Sequence, residues 1–267
     1  MTIKFGTDGW RAIIAKDFTV DNVARVAQGT AEWLLKTNPS PTLVLGSDCR
    51  FGGRMFAETV ALVMAQNGVK VLWDRNDFVS TPMVSLGTVQ HGAQAGVILT
   101  ASHNPPSYNG FKIKASYGGP AVPSMISEVE ALIPEQAPAL QKSVGYWKEW
   151  GRIVDVDLYS AYLDEIRRNF DLESMQPLSE RLAFDAMYGA GQLVIPDLFP
   201  HARLLHCSHN PGFDGQAPEP IARNLTELSE RLANDPSLEI GLAVDGDADR
   251  IGLLNASGDF VDSHHIL

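Results

Sequence analysis

The chain has 267 residues, 45% of them hydrophobic and 20% charged, a globular composition that excludes disorder. At roughly 100 to 200 residues per domain, two domains are expected rather than one. With 32 acidic against 21 basic side chains the net charge is -11, which argues against a surface built to neutralise nucleic acid, so an anionic ligand must be held by a local cluster.

Val23, Val26, Ala27, Ala31 and Leu34 recur at helical spacing behind Asp21, a suitable N-cap, and predict a helix over 21–36 that Asn38-Pro39-Ser40-Pro41 stops. A buried strand over 42–46, a helix over 55–66 closed by Gly68 and a strand over 69–73 make a strand-helix-strand unit. The next strand, 96–99, runs directly into Thr100-Ala101-Ser102-His103-Asn104-Pro105, at a strand's C-terminal end, where open α/β sheets place their ligands. Prolines and aromatic residues between 134 and 150 mark a domain boundary near 150. Beyond it the pattern repeats: a helix over 158–170, a strand over 182–185, a glycine turn over 189–191 opening a helix, a strand over 202–205, a helix over 226–233 and strands over 240–244 and 251–254. Two distant cysteines, Cys49 and Cys207, form no disulfide framework, no apolar run reaches the roughly 18 residues of a membrane helix, and the N-terminus lacks a signal-peptide core. A cytoplasmic chain with no membrane and no nucleic-acid partner is expected.

The sharpest chemical signal is Asp245-Gly246-Asp247-Ala248-Asp249-Arg250, between two apolar runs. Converging carboxylates raise one another's pKa, and a hard divalent cation, Mg²⁺ or Ca²⁺, relieves the conflict. A helix-loop-helix calcium site needs Gly at its sixth position and Glu at its twelfth; here Arg250 and Ala256 stand there. Ser102 is not in a G-x-S-x-G nucleophile elbow, but a serine at a strand terminus beside a histidine suits a phosphoryl carrier with Arg11, Lys112 and Lys114 as available cations. Taken alone, a Ser-His pair in a turn is more often structural, because Ser and Asn cap turns locally. Phe5-Gly6-Thr7-Asp8-Gly9-Trp10-Arg11 combines close backbone approach with a bidentate phosphate ligand, and Lys112 within Tyr108-Asn109-Gly110-Phe111-Lys112 is a candidate proton donor or acceptor.

These four motifs, in this order, resemble the α-D-phosphohexomutase superfamily, which includes phosphoglucomutase and phosphomannomutase. The resemblance implies two consecutive α/β/α sandwich domains with mixed, mostly parallel sheets, over 1–150 and 151–256, with 257–267 the start of a third domain before which, or just inside which, the chain is truncated. It implies Ser102 as phosphoserine, Lys112 as general acid/base, and Arg11, His103 and Arg250 as groups that orient and neutralise phosphate. Asp245, Asp247 and Asp249, joined by an oxygen on Ser102, would hold Mg²⁺. Gly212-Phe213-Asp214-Gly215 and Asp48-Cys49-Arg50 also look like family segments. The implied substrate is a hexose phosphate, glucose or mannose 1-phosphate going to the 6-phosphate, because Tyr108 to Lys112 looks closer to those members than to phosphoglucosamine mutases. Family members have two further domains that grip the sugar and its phosphate, so a fragment with little turnover is expected. The competing readings are a non-catalytic remnant that binds metal or a partner chain, and a phosphatase-like protein with an Asp nucleophile in the 245–249 loop. Nothing in the sequence speaks to oligomeric state.

Overall fold

The computed structural model describes residues 3–6 and 9–262, so Thr7 and Asp8 of the first motif lie outside the described residues. The chain forms two units, one of Met1–Ala101 with Ser107–Tyr162 and one of Ser102–Pro106 with Leu163–Leu267. Its helices are α1 (Val20–Thr37), α2 (Gly53–Gln66), α3 (Thr81–Gln90), α4 (Pro123–Ala131), α5 (Val144–Glu149), α6 (Leu158–Asn169), α7 (Leu172–Met175), α8 (Val194–Leu198) and α9 (Thr226–Asn234).

The aliphatic runs of the first unit become strands β1 (Trp10–Ile13), β2 (Thr42–Ser47), β3 (Lys70–Asp74), β4 (Ala95–Leu99), β5 (Tyr108–Ala115) and β6 (Ile153–Val156), in the order β1-β5-β4-β2-β3-β6. Strands β4, β2, β3 and β6 are parallel, and β5 is antiparallel to both its neighbours, so β5 alone runs against the rest. One face buries Leu43, Leu45, Val97 and Leu99 against Val23, Val26 and Ala27 of α1 and Phe56, Val60 and Met64 of α2. On the other face α3 comes so close that a methyl group on Gly96 would lie 2.3 Å from Thr88 Oγ1.

Helix α1 starts one residue earlier than expected because Thr19, not Asp21, is its cap: Thr19 Oγ1 accepts from Asn22 N at 3.3 Å. Asp21 falls in the first turn, where its charge suits the helix dipole. Strand β6, beyond the expected boundary near 150, pairs with β3 and completes the first sheet. The start of α6 belongs to this unit too, where Asp74 Oδ2 accepts from Leu158 N at 2.8 Å.

The second unit's strands are β7 (Leu182–Asp185), β8 (Arg203–Leu205), β9 (Ile240–Val244), β10 (Ile251–Asn255) and β11 (Phe260–Val261), in the order β11-β10-β9-β7-β8. Again one strand is reversed: β10 is antiparallel to β9 and β11, whereas β8, β7 and β9 are parallel. Leu228 and Leu232 of α9 pack on Ala183, Leu205, Ala243 and Leu254. Of the segment 257–267, expected to open a third domain, Phe260–Val261 forms the edge of this sheet, and 263–267 lie outside the described residues. The architecture is that of two α/β units with mixed sheets, as expected. Among the described residues no helix is long and apolar enough to cross a membrane.

Candidate active site

The loop from Thr100 to Ser107 leaves β4 and returns as β5, and a buried pair in the first unit fastens both of its stems. Asp48, directly after β2, donates its N–H to Leu99 O at 3.0 Å and accepts from the Thr100 hydroxyl at 2.5 Å and from Arg50 N at 3.0 Å. The Arg50 side chain, fully buried, lies 3.4 Å from the Asp48 carboxylate and donates to Tyr108 O at 3.0 Å. One ion pair thus ties the outgoing strand to the returning one. In the sequence this pair stood only as a family segment; the physical signal for its role is a strand ending on Asp with Arg two residues on.

In the second unit, the acidic loop is the connection of the β9–β10 hairpin. Asp245 N donates to Arg250 O at 3.2 Å, and Asp245 Oδ1 accepts from Asp249 N at 3.0 Å and Arg250 N at 3.2 Å, so the first carboxylate folds its own loop. Ala248 takes the left-handed conformation, φ 57°, that the tight turn demands. The glycine turn supports the loop from beneath: Ala190 N donates to Gly246 O at 2.9 Å, and a methyl group on Gly189 would lie 2.8 Å from Asp245 O.

Ser102, fully buried and left-handed at φ 53°, donates its hydroxyl to Asp245 Oδ2 at 2.7 Å. His103 Nδ1 lies 3.5 Å from Ser102 Oγ and is hydrogen-bonded by the Arg250 guanidinium. An arginine N–H has only a proton to give, so Nδ1 is the acceptor in that pair. Ser102, His103, Asp245 and Arg250 are therefore joined by direct contacts within this unit. Asp247, buried, and Asp249, exposed, complete the set: one carboxylate oxygen from each of Asp245, Asp247 and Asp249 lies within 4.8 Å of the others. Burial, and then the neighbouring charge of Asp247, pushes the Asp245 carboxyl up to about 7, against the pull of the hydrogen bond from Ser102. A divalent cation would remove that repulsion, and an all-oxygen donor set suits a hard ion, so these residues fit Mg²⁺.

Arg11 and Lys112 belong to the first unit. Arg11 sits in β1 opposite Gly110, half-buried, and Lys112 in β5 opposite Ile98, with only 2% of its surface exposed. A lysine buried in a strand is not a solvated surface residue. Lys114, two residues along the same strand, is buried as well.

The chain matches the models for phosphoglucomutase/phosphomannomutase α/β/α domain I over residues 2–139 and domain II over residues 160–258. It belongs to the phosphoglucomutase/phosphomannomutase family, within the α-D-phosphohexomutase superfamily. A Methanosphaera stadtmanae protein named probable phosphoglucosamine mutase is 30% identical over 268 residues, covering 98% of this chain and 57% of its own. A Thermococcus kodakarensis phosphoglucomutase/phosphomannomutase is 28% identical over 265 residues, 96% of this chain and 56% of its own. A crystal structure assigned as a phosphomannomutase from Thermus thermophilus superposes with a TM-score of 0.89 at 34% identity, covering 100% of this chain and 60% of that one. The chain spans little more than half the length of the curated relatives it matches.

Proposed function

We propose that this chain carries the phosphoryl-donor part of a hexose-phosphate mutase, with Ser102 as the phosphoryl carrier. The observation that supports this reading best is the 2.7 Å hydrogen bond from Ser102 Oγ to Asp245 Oδ2, which sets a buried hydroxyl on a cluster of three carboxylates. Asp245, Asp247 and Asp249, with an oxygen on Ser102, are the residues to hold Mg²⁺, which when bound offsets negative charge on the phosphoryl oxygens. In the transfer, the O–P bond at Ser102 breaks as an O–P bond forms to a hydroxyl of a hexose monophosphate, and that hydroxyl's proton goes to Lys112. Return of the other phosphate to Ser102 completes the exchange between the 1- and 6-phosphate. Arg11, His103 and Arg250 orient and neutralise the phosphate. The Tyr108–Lys112 segment favours glucose or mannose phosphate, whereas the Methanosphaera stadtmanae relative carries a glucosamine name.

The test is intact mass. Incubation with glucose 1,6-bisphosphate and Mg²⁺ is expected to add about 80 Da, one phosphoryl group, to the chain. Ser102→Gly, which suits the left-handed backbone, is expected to abolish the gain. A gain that survives in Ser102→Gly and moves to the 245–249 loop would favour an Asp nucleophile instead. Parallel incubations with the mannose and glucosamine bisphosphates rank the sugars.

A further inference from the structure

Three neighbouring non-glycine residues of the second unit, Met187 (φ 46°), Tyr188 (φ 57°) and His206 (φ 48°), are left-handed. Such conformations are strained for a residue with a side chain and persist only where the surroundings over-determine them. The surroundings here converge on His206. Its Nδ1 is 2.9 Å from Asp185 Oδ1, the same oxygen that accepts from Met187 N at 2.7 Å. Its Nε2 is 3.3 Å from Glu227 Oε2 on α9, its ring packs 4.7 Å from that of Tyr188, and its carbonyl accepts from Tyr188 N at 3.0 Å. The turn is closed by Gly189 N donating to Ala186 O at 2.7 Å. Directly beyond Tyr188, Gly189 packs so closely on the acidic loop that a methyl group on it would lie 2.8 Å from Asp245 O, and Ala190 N donates to Gly246 O at 2.9 Å.

We infer that His206 is a positioning residue for the acidic loop: it locks the left-handed turn 186–189, and the turn presents Gly189 and Ala190 as the seat of Asp245 and Gly246. The inference deepens the reading of that loop as the metal site and rests on it for its functional meaning, but the mechanical link is measurable without metal. The link is short and continuous. Imidazole to Asp185, Asp185 to the Met187 amide, and Gly189–Ala190 to the loop are three contacts along the six residues from Asp185 to Ala190.

Hydrogen exchange on the metal-free chain reads it directly. His206→Gly keeps the left-handed backbone while deleting the imidazole, and is expected to speed exchange at the Ala248, Asp249 and Arg250 amides at least tenfold, with α9 amides unchanged. His206→Asn, whose amide can donate to Asp185 and which tolerates φ near +50°, is expected to restore most of the protection. Ala190→Pro, which removes the donor to Gly246 O at the first position of a short helical turn, is expected to loosen the same three amides. Unchanged loop exchange in His206→Gly, or an increase spread evenly over the unit, would overturn the inference. A separate Mn²⁺ titration tells the two readings apart: absence of binding to the parent chain removes the metal assignment, while exchange coupling between His206 and the loop stands or falls by itself.

Discussion

The carboxylate of Asp48 accepts from the Thr100 hydroxyl at 2.5 Å, with both residues buried and 52 positions apart. A buried carboxylate that loses one donor keeps its full desolvation cost, so Thr100→Val is expected to destabilise the first unit by about 1–3 kcal/mol. Arg50→Met, which leaves the charge of Asp48 without its partner, is expected to cost about 3–5 kcal/mol. All five tryptophans lie in the first unit, so denaturant unfolding followed by their fluorescence reports that unit alone. A loss below about 0.5 kcal/mol in both variants, the range of an ordinary surface change, would mean the pair does not hold the loop stems.

Cation binding to the 245–249 carboxylates is expected to raise stability by about 2.7 kcal/mol when free Mg²⁺ stands at a hundred times its dissociation constant. Asp247→Asn is expected to remove that gain. Chelation is expected to leave the fold intact, since Asp245 already holds the loop through the Asp249 and Arg250 amides. A melting temperature that Mg²⁺ raises equally in parent and variant would place the cation elsewhere.

His206 gives the chain a pH dependence of known sign. Its hydrogen bond to Asp185 raises its pKa above the ordinary 6.5, against desolvation, and the charges of Asp185, Glu227 and Asp214 add to the rise. Tyr188 is the other titratable group against it, and Arg231 reaches Glu227 from the far side at 4.0 Å. Because the folded state binds the proton more tightly, the contribution is complete below pH 6.5 and is lost as pH rises through the folded value. The melting-temperature advantage of the parent over His206→Asn is expected to be larger at about pH 6 than at about pH 9. An advantage that does not change with pH would show that the imidazolium contributes nothing.

Turnover by these 267 residues alone is expected to be slow. Positioning of substrate by parts remote from the reacting atoms is worth on the order of 7 kcal/mol, about five powers of ten in rate, and the relatives supply roughly as much chain again. A coupled assay with glucose 1-phosphate, Mg²⁺ and a trace of glucose 1,6-bisphosphate checks this. Rates within about tenfold of a complete mutase would contradict it.

Strands β2, β3 and β4 are legible because a buried strand needs only an apolar run, and β9, buried at alternate positions, carries such a run as well. Strand β5 is not, because Lys112 and Lys114 are both buried in it and defeat any apolar pattern. Helix α3 is harder to read, since Thr81-Pro82-Met83-Val84-Ser85-Leu86-Gly87-Thr88 carries no charged face, though Ser80, which accepts from Met83 N, and Pro82 in the first turn are an N-terminal signal. Within the candidate site, Ser102 and the three aspartates were legible as motifs. The supporting residues were not: Asp48 and Asp185 act on partners brought near only by folding. Yet each stands at the end of a strand, as do Asp74 and Asp245, and each of Asp48, Asp74 and Asp185 accepts from the amide two residues on. A strand closing on Asp is a pattern that a sequence can show.

The two sheets share more than class. Reading β5-β4-β2-β3 against β10-β9-β7-β8 gives one strand order with one reversed member at the same place. The Ser102 segment enters that reversed strand in the first sheet, and the 245–250 loop enters it in the second. Ser102 and a triad of acids therefore occupy equivalent addresses in two renderings of a single strand order. What sets the two connections apart is therefore their residues and not the strands around them, a hydroxyl and an imidazole on one and three carboxylates on the other.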